Sequence, residues 1–252
     1  MSGQTKHSSI WSNDEVEVKV PYSAAGVGTT VVLTSRFTGK ILLMDVGDGA
    51  LRDLLLAGNL DFVTELDIIA ITHGHFDHVG GLWTLLGFLR MLGRTEPVNI
   101  LVPTGCTEVT NIVKGFKDCY FETLGYQINI FQLQHGSGFD TDFFKLKAMG
   151  VEHYGSENVT KRDVLMPALG YRVLIGETMI AYTGDSRMCK SLEDLVADAH
   201  LAVIEATYDE HPNSDRKVHL TEKEAKKLGK KAKEHLLIHM KPDAGKEIIS
   251  PR

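Results

Sequence analysis

LDIIAITHGHFDH, residues 66–78, runs an apolar segment straight into three histidines and an aspartate within six positions. A short uninterrupted apolar run reads as a buried strand, which puts HGHFDH on the turn that leaves it. Imidazole and carboxylate side chains at alternate positions of a tight turn point into one volume, and neutral imidazole suits zinc and other first-row metals. His73 and His75 are the natural pair for one ion, Asp77 and His78 for a second. With eleven histidines in the whole chain, a chance cluster in a polar surface turn is the weaker alternative.

The 252 residues, 43% hydrophobic and 24% charged, can bury a full core and match a soluble globular protein. The expected organisation is a polar tail over residues 1–13 and a single domain over 14–252. No apolar stretch approaches the roughly 20 residues needed to span a bilayer, and MSGQTKHSSIWSNDE lacks the apolar centre of a signal peptide. A cytoplasmic protein with no membrane partner is expected. Cys106, Cys119 and Cys189 are widely separated and form no C-x-x-C pair, which argues against a disulfide framework or a thiolate metal site. The net charge of -6 gives no footprint for extended nucleic-acid binding, although a local patch near bound cations can still be positive. The oligomeric state is left open.

Outward from the cluster, EVEVKV, TTVVLT and KILLMDVGDG read as strands and LRDLLLAGN as a helix, followed by the helix GGLWTLLGFLRMLG, the strand VNILVP and a helix around TEVTNIVKGF. In the second half INIFQL, DFFKLKAM, LGYRVLI and TMIAYTGD form a series resembling a meander. SLEDLVADA is a helix, LAVIEATY a strand, Thr221 to Glu234 a lysine-rich helix, and LLIHM a last strand. The alternation points to an α/β chain, and two halves, each a sheet with helices outside, make a four-layer sandwich. In the lysine-rich helix Ala225, Leu228 and Ala232 supply one apolar face, so its lysines are most simply the solvated side.

Four further places end a strand, or follow one after a turn, with a residue able to bind metal or move a proton: His153 in GVEHYG, Asp185 in AYTGDS, Glu205 in AVIEAT and His239 in LLIHM. His153 would complete the first ion's imidazole set and His239 the second's, while the two oxygens of Asp185 suit a bridge. Each alone has a commoner structural explanation. Their joint occurrence with HGHFDH favours a two-metal site.

The order H-x-H-x-D-H, His, Asp, His over about two hundred residues resembles the metallo-β-lactamase fold superfamily, and within it the ribonuclease Z branch. MDVGDGALRDLL, ITHGHFDHVGGLWTLL, LGRTEPVNILVP, PALGYRV, IAYTGDSRMCKSLEDL, AVIEATYDE and VHLTEKEA carry the likeness across most of residues 40–240. It implies an αβ/βα four-layer sandwich and a binuclear metal-dependent phosphodiesterase. His73, His75 and His153 would hold one ion, Asp77, His78 and His239 the other, and Asp185 would bridge them. It also implies Asp77 as general base towards water held between the ions, with Glu205 and His219 handling the proton of the leaving oxygen. The cofactors expected are two divalent transition-metal ions, zinc first, with manganese, iron or nickel accepted by the same ligands.

Three departures from the branch bear on substrate. YSAAGVGTT only loosely matches its glycine- and threonine-rich opening. Its long transfer-RNA-gripping arm follows the segment matching LGYRV, yet here only LIGETM intervenes before IAYTGD. YGSENVTKRDVLM is an insertion after His153, placed to act as a lid with Lys161 and Arg162 on a bound phosphate. The leading expectation is therefore a small or nucleotide-like phosphodiester substrate, with RNA less favoured. The alternatives are a transfer-RNA 3′ endonuclease of the ribonuclease Z type, a thioester or lactone hydrolase of the glyoxalase II kind, and a non-catalytic ligand sensor that keeps the metal site.

Overall fold

The computed structural model describes residues 9–56, 60–156, 163–211 and 217–242. One seven-stranded sheet runs in the order β1 (Ser9–Ser12), β2 (Val16–Ala24), β3 (Gly28–Ser35), β4 (Ile41–Met44), β5 (Leu66–Ala70), β6 (Val98–Pro103) and β7 (Ile128–Leu133), antiparallel up to β4 and parallel from there. Its helices are α1 (Ala50–Leu56), α2 (Phe62–Glu65), α3 (Phe76–Val79), α4 (Leu82–Met91) and α5 (Thr107–Tyr120).

The second half contains β8 (Gly138–Asp140), β9 (Lys145–Gly150), β10 (His153–Ser156), β11 (Asp163–Met166), β12 (Leu169–Ile175), β13 (Thr178–Tyr182), α6 (Lys190–Val196), β14 (Leu201–Glu205), α7 (Glu222–Gly229) and β15 (Glu234–Ile238). A six-stranded sheet orders them β15-β14-β13-β12-β9-β8, and β10 pairs with β11 as a separate hairpin.

Three cores alternate with the layers. In β4, Ile41 and Leu43 join the outer core under α1, α4 and α5, while Leu42 and Met44 join the central core between the sheets. β5 divides likewise, and β14 sends Leu201 and Val203 to the centre and Ala202 and Ile204 towards α6 and α7. Strands buried on both faces must be apolar throughout, whereas β2 alternates and places Val16, Val18 and Val20 in the central core. The α/β sandwich expected from the sequence is the fold observed. Among the described residues no helix is long and apolar enough to cross a membrane.

Several boundaries differ from expectation. Residues 9–12, read as part of a polar tail, pair with β2 as an edge strand; residues 1–8 lie outside the described residues. INIFQL does not begin the meander but extends the first sheet parallel to β6, and the meander is β8, β9, β12 and β13. The lysine-rich helix stops at Gly229 because residues 234–238 are drawn into parallel pairing with β14. Tertiary pairing here overrides a helix-forming lysine run. Gly229 lies so close to His235 that a Cβ would come within 2.5 Å of the ring. His235 accordingly belongs to β15.

Parallel strands bring their carboxyl ends to one edge of each sheet, and Asp45, His73, Asp185, Glu205 and His239 all fall just past or at such ends. The turn after β4 is packed against the turn carrying the histidine cluster. The Gly47 amide donates to the Thr29 carbonyl at 3.0 Å, and a Cβ at Gly47 would collide with backbone atoms of Asp77 and Thr29. Backbone cannot yield as a flexible side chain can, so Gly47→Ala should lower stability by about 1–3 kcal/mol or more. Urea denaturation measures this, and an unchanged midpoint would contradict the close approach.

Candidate metal centre and proton-transfer pair

The imidazoles expected from the sequence converge. His75 Nδ1 lies 3.1 Å from both His73 Nε2 and His153 Nε2. His239 Nε2 lies 3.3 Å from His78 Nε2 and 3.2 Å from Asp77 Oδ2. Asp185 Oδ2 stands between the two groups, 3.4 Å from His78 Nε2, 3.8 Å from His73 Nε2 and 4.0 Å from His153 Nε2. His73, His78, Asp77, His153, Asp185 and His239 are all buried.

Second contacts decide which nitrogen faces inward. The buried Asp45 carboxylate accepts from the Thr72 amide and the Thr72 hydroxyl, each at 2.8 Å, from Tyr182 Oη at 2.7 Å and from His78 Nδ1 at 2.8 Å. An ionised carboxylate only accepts, so His78 Nδ1 donates to Asp45 and Nε2 is the nitrogen that faces inward. The Thr72 hydroxyl donates to Asp45 and therefore accepts from His73 Nδ1 at 3.0 Å, with the same result. On the other side Thr207 Oγ1 donates to Glu205 Oε2 at 2.8 Å and accepts from His239 Nδ1 at 2.9 Å. Asp77 Oδ2 accepts from the Gly26 amide at 2.7 Å, which gives the AAGVG turn between β2 and β3 a place in the site.

These arrangements fit a pair of divalent cations. The inward-facing ring nitrogens lie 3.1–3.3 Å apart, about the edge of a tetrahedron of ligands 2.0–2.1 Å from a zinc ion. Asp185 Oδ1 and His153 Nδ1 are buried without a hydrogen-bond partner among the described residues, and a buried carboxylate oxygen without a donor calls for a cation. Burial lowers the pKa of His73, His75 and His153, the last to about 3, so this set is neutral and able to ligate at neutral pH. Burial works to raise Asp77, but the hydrogen bond from His239 and the charge on His78 outweigh it and hold the carboxyl at about 2. Asp185 is held well below the carboxylate range, with His239 and His78 overcoming its burial.

Beside this set stands a different pair. His219 Nδ1 donates to Glu205 Oε1 at 3.1 Å, and the buried Glu205 also accepts from the Ser186, Leu220 and Thr207 amides, each at 3.1 Å, and from the Thr207 hydroxyl. Burial disfavours the His219 cation, but Glu205 and then Asp185 outweigh it and raise its pKa. The imidazole is thus oriented, partly exposed and inclined to carry a proton.

Every expected site residue within the described residues joins the cluster. Lys161 and Arg162 lie outside them, and the insertion after His153 begins and ends as the β10–β11 hairpin. His135, His200 and His211 serve local contacts: His135 Nδ1 accepts from the Gly150 amide, His200 Nδ1 accepts from the Met179 amide, and His211 pairs with Glu224. Trp83 packs edge-on against Phe116, and Phe76 is 64% exposed beside the histidine turn. The sequence reading did not single out Asp45, Thr72, Tyr182, Thr207 or Gly26. Asp45 and Thr207 follow strand ends in MDVGDG and AVIEAT, a signal of the same kind as that used for Asp185 and Glu205.

The sequence matches the family described as the β-lactamase superfamily domain over residues 43–240. A ribonuclease Z of Agathobacter rectalis is 26% identical over 248 aligned residues, covering 83% of this chain and 81% of its own. Among solved structures, the metallo-β-lactamase fold protein YhfI of Bacillus subtilis superposes with a TM-score of 0.71 at 19% identity, covering 93% of this chain and 90% of that one. The short form of human tRNase Z also gives 0.71, at 21% identity, covering 89% and 92%. The chain belongs to the β-lactamase superfamily, in its ribonuclease Z-like branch, and is a metal-dependent hydrolase.

Two measurements test this geometry. Thr207→Val keeps side-chain shape and removes the hydroxyl that orients His239, so it should weaken divalent-metal retention against a chelator by roughly 10- to 100-fold, while Thr207→Ser stays near wild type. Equal retention in the valine variant would remove Thr207 from the site. For His153, a folded pKa of about 3 against an ordinary 6.5 means that the unfolded chain takes the proton first as pH falls. That stability is present above pH 6.5 and lost progressively below it. In chelator-treated protein His153→Gln should therefore lose stability less steeply than wild type between pH 6.5 and 4, by at most about 1.4 kcal/mol per pH unit. Parallel curves would contradict the assignment.

Proposed function

We propose that this hydrolase is a phosphodiesterase of the ribonuclease Z type, cutting an RNA backbone, with His73, His75 and His153 for one divalent ion, Asp77, His78 and His239 for a second, and Asp185 shared. Zinc is the first candidate, since imidazole and carboxylate donors dominate the set. When bound, such ions withdraw charge from phosphoryl oxygens and acidify water.

The protein's own groups supply orientation and a proton. Asp77, ionised and tied to Gly26 and His239, holds the attacking water as an acceptor; a carboxyl near 2 suits positioning better than storage of the proton. His219, held by Glu205, delivers a proton to the departing oxygen. This pair is the observation that carries the reading, because an alkoxide leaving from a natural diester needs protonation and a thiolate leaving from a thioester needs little. It therefore favours a phosphodiester over the glyoxalase II alternative, and a working acid disfavours a silent sensor. The ribonuclease Z relatives match the RNA alternative and give no support to a preference for small diesters.

One observation still favours a small substrate as the second reading. β12 and β13 are joined through Gly176 and Glu177 alone, so no arm extends from that edge. Precursor transfer RNA with a 3′ trailer, compared with bis(p-nitrophenyl) phosphate and cyclic nucleotides on metal-loaded protein, separates the two. Cleavage of the RNA at one site with the higher kcat/KM is expected; efficient turnover of a small diester with no RNA cleavage would replace the first reading by the second. His219→Ala should slow RNA cleavage by roughly 10² to 10⁴ and affect the p-nitrophenyl ester much less, since p-nitrophenolate leaves without help. Equal losses would exclude His219 as the acid.

A further inference from the structure

α7 begins three residues after His219 and is fixed at its start by a capping box, in which Thr221 Oγ1 accepts from the Glu224 amide and the Glu224 carboxylate accepts from the Thr221 amide. Ala225, Leu228 and Gly229 are buried against the core under the second sheet. Lys223, Lys226, Lys227 and Lys230 stand at i, i+3, i+4 and i+7, the spacing of a single helix face, and all four are exposed. That face lines a cavity of about 880 Å³ that Asp209 and His211 also line.

Two of the three carboxylates that line the cavity are already engaged, the third being Asp209. Glu222 pairs with Lys226 at 2.5 Å, and Glu224 is taken by Thr221 and by His211 at 2.9 Å. Among the described residues no carboxylate lies within ion-pair distance of Lys223, Lys227 or Lys230; the neighbouring Glu193 is paired with Lys231 at 2.7 Å. Between this face and the metal centre, Tyr208 stands edge-on to His219 at 5.5 Å and carries the Lys241 ammonium over its ring at 4.5 Å. Cationic groups thus run from the mouth of the site along α7, on a chain whose net charge is -6.

We infer that the lysine face of α7 is the docking surface for the RNA backbone flanking the scissile bond. The inference rests on the ribonuclease reading above. Affinity for an RNA comes mainly from phosphate contacts away from the reacting centre, and the two-residue turn between β12 and β13 offers none. The lysine face stands on a capped helix that begins three residues after His219, and it spans about 10 Å at 1.5 Å per residue, enough to meet successive phosphates.

The test uses metal-loaded protein in which Lys223, Lys227 and Lys230 are all replaced by Ala, and a second variant with all three replaced by Arg. Alanine suits an exposed helix, so the fold is retained, and turnover of bis(p-nitrophenyl) phosphate reports the metal centre. The alanine variant should keep that turnover, bind fluorescein-labelled precursor transfer RNA roughly 10- to 100-fold more weakly at 0.1 M salt, and show a salt dependence shallower by about 2 in log K against log[salt], as expected for three lost contacts to single-stranded RNA. The arginine variant should behave as wild type. Unchanged RNA affinity and salt slope in the alanine variant would overturn the inference even if RNA is cleaved. Lysine-dependent RNA binding without any cleavage would support the surface and overturn the ribonuclease reading instead.

Discussion

The site depends first on a buried carboxylate. Asp45 is fully removed from solvent and has a left-handed backbone, φ 60°, at the end of β4. An isolated charge there would cost several kcal/mol, and four donors compensate it: the Thr72 amide and hydroxyl after β5, His78 from α3, and Tyr182 at the end of β13. Tyr182 belongs to the second sheet and the others to the first half of the chain. The charge therefore gains its last donor only when the two halves have closed on each other. His73 and His78 are oriented within the first half, and His153, Asp185 and His239 meet them only in the closed sandwich.

Glu205 repeats the device in the second half. It too is a buried carboxylate at a strand end, takes backbone amides as donors, and acts on an imidazole through a threonine hydroxyl. Asp45, Thr72 and His73 form one such chain; Glu205, Thr207 and His239 form the other. Each fixes the tautomer of a potential ligand from behind, the arrangement that raises ligand basicity and orients the ring in metal sites generally. Glu205 has a second dependant in His219, so ligand orientation and proton delivery share one carboxylate. Removing that charge would disturb both tasks together.

Chemistry and substrate recognition are separated in this architecture. Strand ends converge because parallel strands end on one side, and the reacting groups inherit the rigidity of both sheets. What grips a substrate beyond the reacting phosphate must come from loops or helix faces around that edge. The two-residue β12–β13 turn is too short to contribute, while α7 begins three residues after His219 and presents exposed lysines. Fold and metal site alone do not distinguish a large polyanion from a small diester; the surface around them does.

Much was legible in the chain because short-range patterns carry it. Apolar runs such as LDIIAI and LAVIE mark strands buried on both faces, and the density of HGHFDH marks metal-binding chemistry without any tertiary information. His153, Asp185, Glu205 and His239 could be proposed from their places at strand ends. Their convergence, with Asp185 between the two imidazole groups, is a fact of topology that local pattern does not contain. The same limit explains the misplaced boundaries: 221–234 has the composition of one helix, but long-range pairing with β14 takes its last residue into β15, and INIFQL carries no local mark of which sheet it joins. Asp45 and Thr207 were overlooked because a buried carboxylate or hydroxyl shows its importance only through what it hydrogen-bonds. Residue types and spacing determined the chemistry; the closure of two sheets decided which side chains face one another, because only that closure sets long-range distances and the burial that makes each polar contact obligatory.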